Sequence, residues 1–248
     1  MKYTDRLICL RTVNYSETSQ ILTVLTRDHG KVSLIAKGAK RPKSPFDGPV
    51  ELFSAGAAVI APAGPGKELA TLIEFQQTPA LTGLRKNLLA LNSAFLAAEL
   101  IDSMTETEDP HPELFDDFAC FLADLNGLTD NQQLLARFIA FQLNLLFLLG
   151  IQLSRSRCAN CSAVFGPGWK TAYFSSSAPG LLCPDCESAF AEKRKISVPA
   201  AAALADLKTL QRLSPKTLTE IESLLIYHFT ELMHRPPKSA KYFRNLKP

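Results

Sequence analysis

Hydrophobic and polar positions alternate along the first third of the chain, and the period then changes. Ile21 to Thr26 and Lys31 to Lys37 are short β-rich runs joined by Arg27-Asp28-His29-Gly30, which reads as a tight hairpin. Leu7 to Val13 precedes them. Two further runs, Val50 to Ala61 and Leu69 to Gln77, flank the turn-rich Pro62-Ala63-Gly64-Pro65-Gly66. Five short strands with no helix between them predict a small closed sheet over residues 1–80. A five-stranded oligonucleotide-binding (OB-type) barrel is the leading candidate. An SH3-like barrel has nearly the same strand count, and spacing alone leaves it open.

At Thr78-Pro79 the pattern becomes helical. Leu, Phe and Ala recur at helical spacing over residues 82–104, 112–126 and 130–149. Asp109-Pro110-His111-Pro112 separates the first helix from the second, and Gly150 is placed to stop the third. The segment 130–149 is apolar nearly all round and belongs at the centre of a bundle. Pro199 to Leu213 and Thr217 to His234 read as two more helices. No internal repeat or low-complexity stretch is visible. The expected fold class is therefore α+β and multidomain: the barrel over 1–80, then an all-α domain over 81–248.

Composition adds little, with 46% hydrophobic and 21% charged residues, as in an ordinary globular protein. Charge adds more, because a net +3 conceals segregation. Residues 1–80 carry ten basic and seven acidic side chains, residues 81–150 three and ten, and residues 151–248 fourteen and seven. Two basic ends around an acidic middle imply distinct surfaces for distinct partners. Arg6 and Arg11 interrupt the N-terminus, so it lacks the apolar region of a signal peptide. The apolar run 134–151 contains Arg137, Gln142 and Asn144, which suits a buried helix and not a membrane span. The expected location is the cytoplasm.

The strongest chemical signal is a pair of C-x-x-C knuckles, Cys158-Ala-Asn-Cys161 and Cys183-Pro-Asp-Cys186, with 21 residues between them. Zn²⁺ takes four tetrahedral thiolates, and each knuckle supplies two from a tight turn. Four protein ligands leave no open position, so one structural Zn²⁺ is expected in a module over about 154–192. Disulfides are disfavoured in a reducing compartment. Between the knuckles, Trp169, Tyr173 and Phe174 suit the floor of a small module better than a stacking platform for bases. Cys9 and Cys120 sit in apolar contexts and are expected in the core.

No phosphate loop, dinucleotide fingerprint or H-E-x-x-H spacing is present, and Asp116-Asp117 lacks a second acidic motif for a two-metal nuclease. No catalytic residue is expected. Residues 36–45, Ala-Lys-Gly-Ala-Lys-Arg-Pro-Lys-Ser-Pro, carry Lys37, Lys40, Arg41 and Lys43 directly after the hairpin. Small residues leave the backbone approachable, and the prolines limit the entropy lost on ordering. The bland alternative is a solvated connector.

A barrel, then helices, then a four-cysteine module before the last helices, all flanked by basic segments, resembles the RecO family of recombination mediators. The residues that carry the resemblance are the run Tyr15 to Thr26, Gly30-Lys31-Val32, Ala36 to Arg41 with Ser44, the two knuckles, and Lys238-Ser239-Ala240-Lys241. One departure is Ala178-Pro179-Gly180 before the second knuckle, where a glycine pair is expected. The resemblance implies binding of single- and double-stranded DNA and annealing of complementary strands. It also implies cooperation with RecR to displace single-strand-binding protein and load RecA. The DNA-binding candidates are Arg11, Arg27, Lys31, Lys37, Lys40, Arg41 and Lys43 at the barrel, and Arg235, Lys238, Lys241 and Arg244 in the tail. A rival reading is a zinc-containing docking adaptor with incidental DNA contact.

Overall fold

The computed structural model describes residues 1–243 apart from Lys43, Asp47 and Lys67. Two compact units are present: residues 1–88 with 98–127, and residues 89–97 with 128–248.

The first unit is built on a closed barrel of β1 (Tyr3–Asn14), β2 (Gln20–Thr26), β3 (Gly30–Ala36), β4 (Ala55–Ala61) and β5 (Ala70–Gln77), in the order β1-β2-β3-β5-β4. All pairs are antiparallel except β3 with β5, where Leu34 faces Ala70. That order, with its one parallel pair, is the OB-type barrel, which settles the ambiguity the spacing left. Strand β1 pairs with β4 through Tyr3–Ile8 and with β2 through Leu7–Asn14, so it must curl. It does so at a bulge between Cys9 and Arg11, which also resets its alternation. Upstream, Leu7 and Cys9 lie in the core. Downstream, Thr12 is bonded to buried Gln20, whereas Arg11 and Val13 are exposed.

Inside the barrel Leu22, Val24, Val32, Leu34, Ile60, Leu72 and Phe75 pack together, and Phe46 and Val50 join them from the connection between β3 and β4. The sequence pattern put the start of the fourth strand at Val50; it starts at Ala55. Val50 is used instead as a core plug, its N–H donating to Gln20 Oε1 at 3.0 Å. Phe53 is in the left-handed region (φ 66°), which interrupts any strand there.

Residues 98–127 belong to the barrel's unit. The helix α1 (Leu88–Met104) ends near β3, and α2 (Pro112–Gly127) follows. Lys31 pairs with Thr107 in an isolated bridge, and the Glu108 N–H donates to Lys31 O at 2.9 Å. Gly30 makes this approach possible: its φ is 70°, and a Cβ there would lie 2.1 Å from Asp109 O. Before α1, the expected continuous helix 82–104 is a 3₁₀ turn (Thr82–Lys86) broken by extended Asn87. Cys9 is buried, and burial pushes its thiol up to about 12. Cys120, expected in the core, is exposed: α2 buries Leu114, Phe118, Phe121 and Leu125, and Cys120 falls outside that stripe.

The second unit is centred on α3 (Asn131–Leu148) and α5 (Pro215–Met233). Asp130 caps α3 by accepting from the Gln133 N–H at 2.8 Å, and Gly150 (φ 77°) ends it, as the sequence indicates. Residues 199–213 are not one helix. α4 (Val198–Ala205) stops at extended Asp206, whose carboxylate accepts from the Lys208 N–H and caps a 3₁₀ segment (Leu207–Arg212). Between α3 and α4 lies a three-stranded sheet the periodicity did not reveal: β6 (Ala172–Ser175), β7 (Gly180–Leu182) and β8 (Arg194–Ile196), in the order β7-β6-β8. A short helix α6 (Ala240–Phe243) follows α5.

Gln142 of α3 donates to Glu222 Oε2 of α5 at 2.5 Å in a fully buried setting. Gln142 Oε1 and Glu222 Oε1 have no partner. Burial pushes the Glu222 carboxyl up to about 8, and the Gln142 amide pulls only weakly the other way. Glu222 is therefore protonated in the native state at neutral pH, which turns one orphaned acceptor into a donor. Because the folded pKa is raised, the stabilisation is complete below the unfolded value and is lost as pH rises through about 8. Glu222→Gln keeps the shape of the neutral carboxyl without a group that titrates. It should gain on the parent by about 1 kcal/mol per pH unit between roughly pH 5.5 and 7.5. Urea unfolding across that range measures this; a pH-independent difference would contradict it.

Candidate metal centre and nucleic-acid interface

The Sγ atoms of Cys158, Cys161, Cys183 and Cys186 all lie within 4.8 Å of one another. Four thiolates about 2.3 Å from a tetrahedral ion stand about 3.8 Å apart, and Cys161 and Cys183 are 3.7 Å apart. The residues present therefore fit a four-thiolate metal ion. Local backbone bonds set this geometry. The Cys158 N–H donates to Ala163 O at 2.8 Å, and the Ser162 N–H returns to Cys158 O at 2.9 Å, with Ser162 left-handed at φ 63°. The second knuckle is closed by the Cys186 N–H on Cys183 O. The Ala159 N–H donates to Leu181 O at 2.7 Å and so lays one knuckle beside the other.

The departure at Ala178-Pro179-Gly180 resolves here. One glycine suffices, because only Gly180 (φ 153°) faces the backbone of Ser154, where a Cβ would meet Ser154 O at 2.5 Å. Pro179 contributes its carbonyl, which accepts from the Ser154 N–H.

Burial raises the Cys158 thiol, but N–H groups of Cys161, Cys183 and Asn160 pointing at its sulfur outweigh that and bring it to about 7. Burial and its neighbouring thiols push Cys183 up to about 12. Crowded thiols cannot all ionise on their own, and a cation at their centre removes that conflict. Around the cluster, Trp169 is only 8% exposed and meets Phe165 edge-on with centroids 5.3 Å apart. Phe174 is buried and meets His228 of α5 edge-on. Trp169 and Phe174 are packed into the module, as the sequence favoured, and Tyr173 is half-buried.

The basic candidates divide by what holds them. Arg27 donates from Nη2 and Nε to Asp116 of α2, at 2.8 and 3.1 Å, and contacts Asp28. Arg6 reaches the same carboxylate at 3.1 Å and lies over the Phe115 ring. These arginines hold the Asp116 carboxyl below its ordinary range. Lys31 is 13% exposed, and its ammonium donates to the carbonyls of Thr105 (2.6 Å) and Asp102, beside the Asp102 carboxylate. Arg27 and Lys31 are thus engaged inside the fold.

Arg11, Lys37 and Arg41 are exposed and Lys40 is half-buried. The Lys40 N–H donates to Thr18 O at 3.1 Å and the Gly38 N–H to Ser19 Oγ at 3.4 Å, so the loop after β3 is fastened to the β1–β2 loop. The Arg41 N–H closes a turn on Gly38 O. Thr18 and Ser19, which set the loop's position, lie in the run Tyr15 to Thr26 that carries the family resemblance, but spacing alone assigned them no role. Arg235, Lys238 and Lys241 are exposed in the second unit, with the Lys241 ammonium over the Tyr242 ring. Lys43 and Arg244 lie outside the described residues. No helix among the described residues is long and apolar enough to cross a membrane.

Comparison with known proteins agrees with both halves of this description. A family model described as Recombination protein O N terminal matches residues 1–78. One described as Recombination protein O C terminal matches residues 85–241. The DNA repair protein RecO of Rhodopirellula baltica is 34% identical over 212 residues, 85% of this chain and 77% of that protein. The DNA repair protein RecO of Bacillus pumilus is 31% identical over 248 residues, 97% of this chain and 93% of that protein. The Bacillus subtilis protein of the same name is 33% identical over 179 residues, 72% of this chain and 66% of its own length.

If the cysteine cluster is a structural metal site, the purified protein should carry about one divalent metal per chain. The chain has a single tryptophan, so Trp169 reports on the module. Chelation, or Cys183→Ser, should red-shift its emission and lower the melting temperature by several degrees or more, since metal affinity there is folding energy. Unchanged emission after metal removal would speak against the assignment.

Proposed function

The chain belongs to the RecO family, and from that premise we propose that it is a DNA-binding recombination mediator acting in DNA repair. In this reading it binds single- and double-stranded DNA, anneals complementary strands and, with RecR, helps load RecA on gapped DNA coated by single-strand-binding protein. It works in the cytoplasm at the nucleoid and catalyses no covalent step. Zn²⁺ is the ion assigned to Cys158, Cys161, Cys183 and Cys186, with a structural role.

The observation that carries the reading is the fastened basic loop of the OB-type barrel. Lys37 and Arg41 are exposed there, and Lys40 is pinned through its backbone. A loop held by two neighbouring backbone contacts loses little entropy when it meets a phosphate chain. Phosphate contacts supply sequence-independent affinity, which is what a protein that must act on any gap requires. Annealing needs two polyanions held close without nucleotide hydrolysis. The positive surplus of residues 151–248, with Arg235, Lys238 and Lys241 exposed, offers a second surface for the other strand. The docking-adaptor reading draws less support, because Asp102 and Asp116 of the acidic segment are engaged with Lys31, Arg6 and Arg27.

Replacing Lys37, Lys40 and Arg41 together with Ala should weaken binding to single-stranded DNA of every sequence. The slope of log K against log salt should fall by about 2, at about 0.7 per contact. A salt titration of binding to a labelled oligonucleotide measures this, and an unchanged slope returns the loop to a solvated connector. The parent protein should speed annealing of complementary oligonucleotides without nucleotide, with salt suppressing the effect.

A further inference from the structure

Beyond the basic loop, the outer face of the barrel carries an apolar row that no core residue requires. The bulge in β1 turns Val13 outward, and the register lines it up with Ile21 of β2 and Ile35 of β3. Ile21 and Ile35 are half-buried and Val13 is 50% exposed. At the end of this row Tyr15 stands 64% exposed. Its backbone is fixed, the Tyr15 N–H donating to Ser19 O at 3.0 Å, in the same short loop that accepts the Lys40 N–H at Thr18 O. The exposed Tyr15 therefore belongs to the loop to which the basic segment after β3 is fastened, next to a sheet face that continues in aliphatic side chains.

Each part of this arrangement has a partner in single-stranded nucleic acid. Cations beside the row match the phosphates. Aliphatic side chains and an aromatic ring match the faces of unpaired bases, which a duplex keeps stacked on one another. A duplex presents phosphates to the same cations but offers no free base face. A hydrophobic protein surface would suit the aliphatic row but not the adjoining cluster of like charges.

Building on the proposed DNA-binding role, we infer that Tyr15 and the Val13–Ile21–Ile35 row form a base-stacking platform, and that Tyr15 makes the barrel prefer single-stranded over double-stranded DNA. Stacking needs the ring and not the hydroxyl, and tolerates any base.

The test compares the full-length parent with Tyr15→Ala, Tyr15→Phe and Tyr15→Trp on a thymidine-only oligonucleotide and a blunt duplex at one salt concentration. The substituted side chain is exposed, so the barrel core is not at stake. Tyr15→Ala should lose about 5-fold or more in affinity for the single strand, with duplex affinity and the salt slope unchanged. Tyr15→Phe should bind like the parent. Tyr15→Trp should show emission quenched by the oligonucleotide and not by the duplex, measured against the parent, whose Trp169 is buried. Equal losses on both DNA forms, or no loss on either, would overturn the platform while leaving DNA binding intact. A parent that binds neither form would instead remove the functional reading on which the platform rests.

Discussion

The distribution of charge in the barrel's unit turns on two carboxylates, those of Asp116 and Asp102. Asp116 receives both Arg27 and Arg6, and on the preceding helix α1 Asp102, with the Thr105 carbonyl just after it, receives Lys31. These contacts hold residues 98–127 against the hairpin, and Gly30 permits the close approach. They also sort the basic residues of the N-terminal region. Three of them neutralise acidic groups within the unit, while Arg11, Lys37 and Arg41 stay exposed. A chain-wide count of positive charge cannot make that distinction. The engaged cations tie residues 98–127 to the hairpin, and the exposed ones give the barrel surface its sign.

The second constraint is the bulge after Cys9. A strand of 12 residues that closes a small barrel must bend, and inserting one residue is the means. The same insertion flips side-chain parity. Had the alternation of Leu7 and Cys9 continued, Arg11 and Val13 would point into the core, where a guanidinium could not be accommodated without a partner. Instead Arg11 lies outside, its Nη2 donating to Thr23 Oγ1 at 3.3 Å, and Thr12 is the inward residue, satisfied by Gln20. Curvature and surface chemistry thus have one cause.

The parts of the molecule governed by local rules were legible in the sequence. Metal chemistry demands cysteines at fixed spacing, so the knuckles declared themselves, and their sulfurs do converge. Alternation marked all five barrel strands, and Gly150 marked the end of α3. What stayed hidden depends on contacts distant along the chain. Val50 looks like strand but is recruited to the core by Gln20, thirty residues earlier. Cys120 looks like core, but the stripe that α2 buries passes it by. Strands β6, β7 and β8 are three or four residues long, too short to show a period, and pair across sequence gaps. Arg27 and Lys31 are basic residues on a hairpin, and nothing nearby in sequence announces their acidic partners some seventy to ninety residues on.

The metal module and α5 are joined by polar contacts that depend on the module keeping its shape. Glu192 gathers Ser175 Oγ, the Ser176 N–H and the Ser177 N–H on one carboxylate oxygen at 3.0, 2.9 and 3.1 Å. Ser176 Oγ in turn meets His228 Nδ1 of α5 at 2.7 Å. Burial holds the His228 imidazole down at about 4, so it is neutral at physiological pH and the contact carries no compensating charge. Its strength rests on position alone. Arg194 of β8 adds a guanidinium over the Tyr227 ring at 3.7 Å, and Glu220 accepts from the N–H and hydroxyl of Ser197. On the module's side, each of these contacts with α5 comes from the small sheet, its turns or the segment just after it, and is made with Glu220, Tyr227 or His228. That sheet has too few apolar residues to hold a shape by burial alone. The cluster of Cys158, Cys161, Cys183 and Cys186 can hold a metal ion, and an ion there would fix the module whose turns meet α5, the helix that the C-terminal basic segment follows.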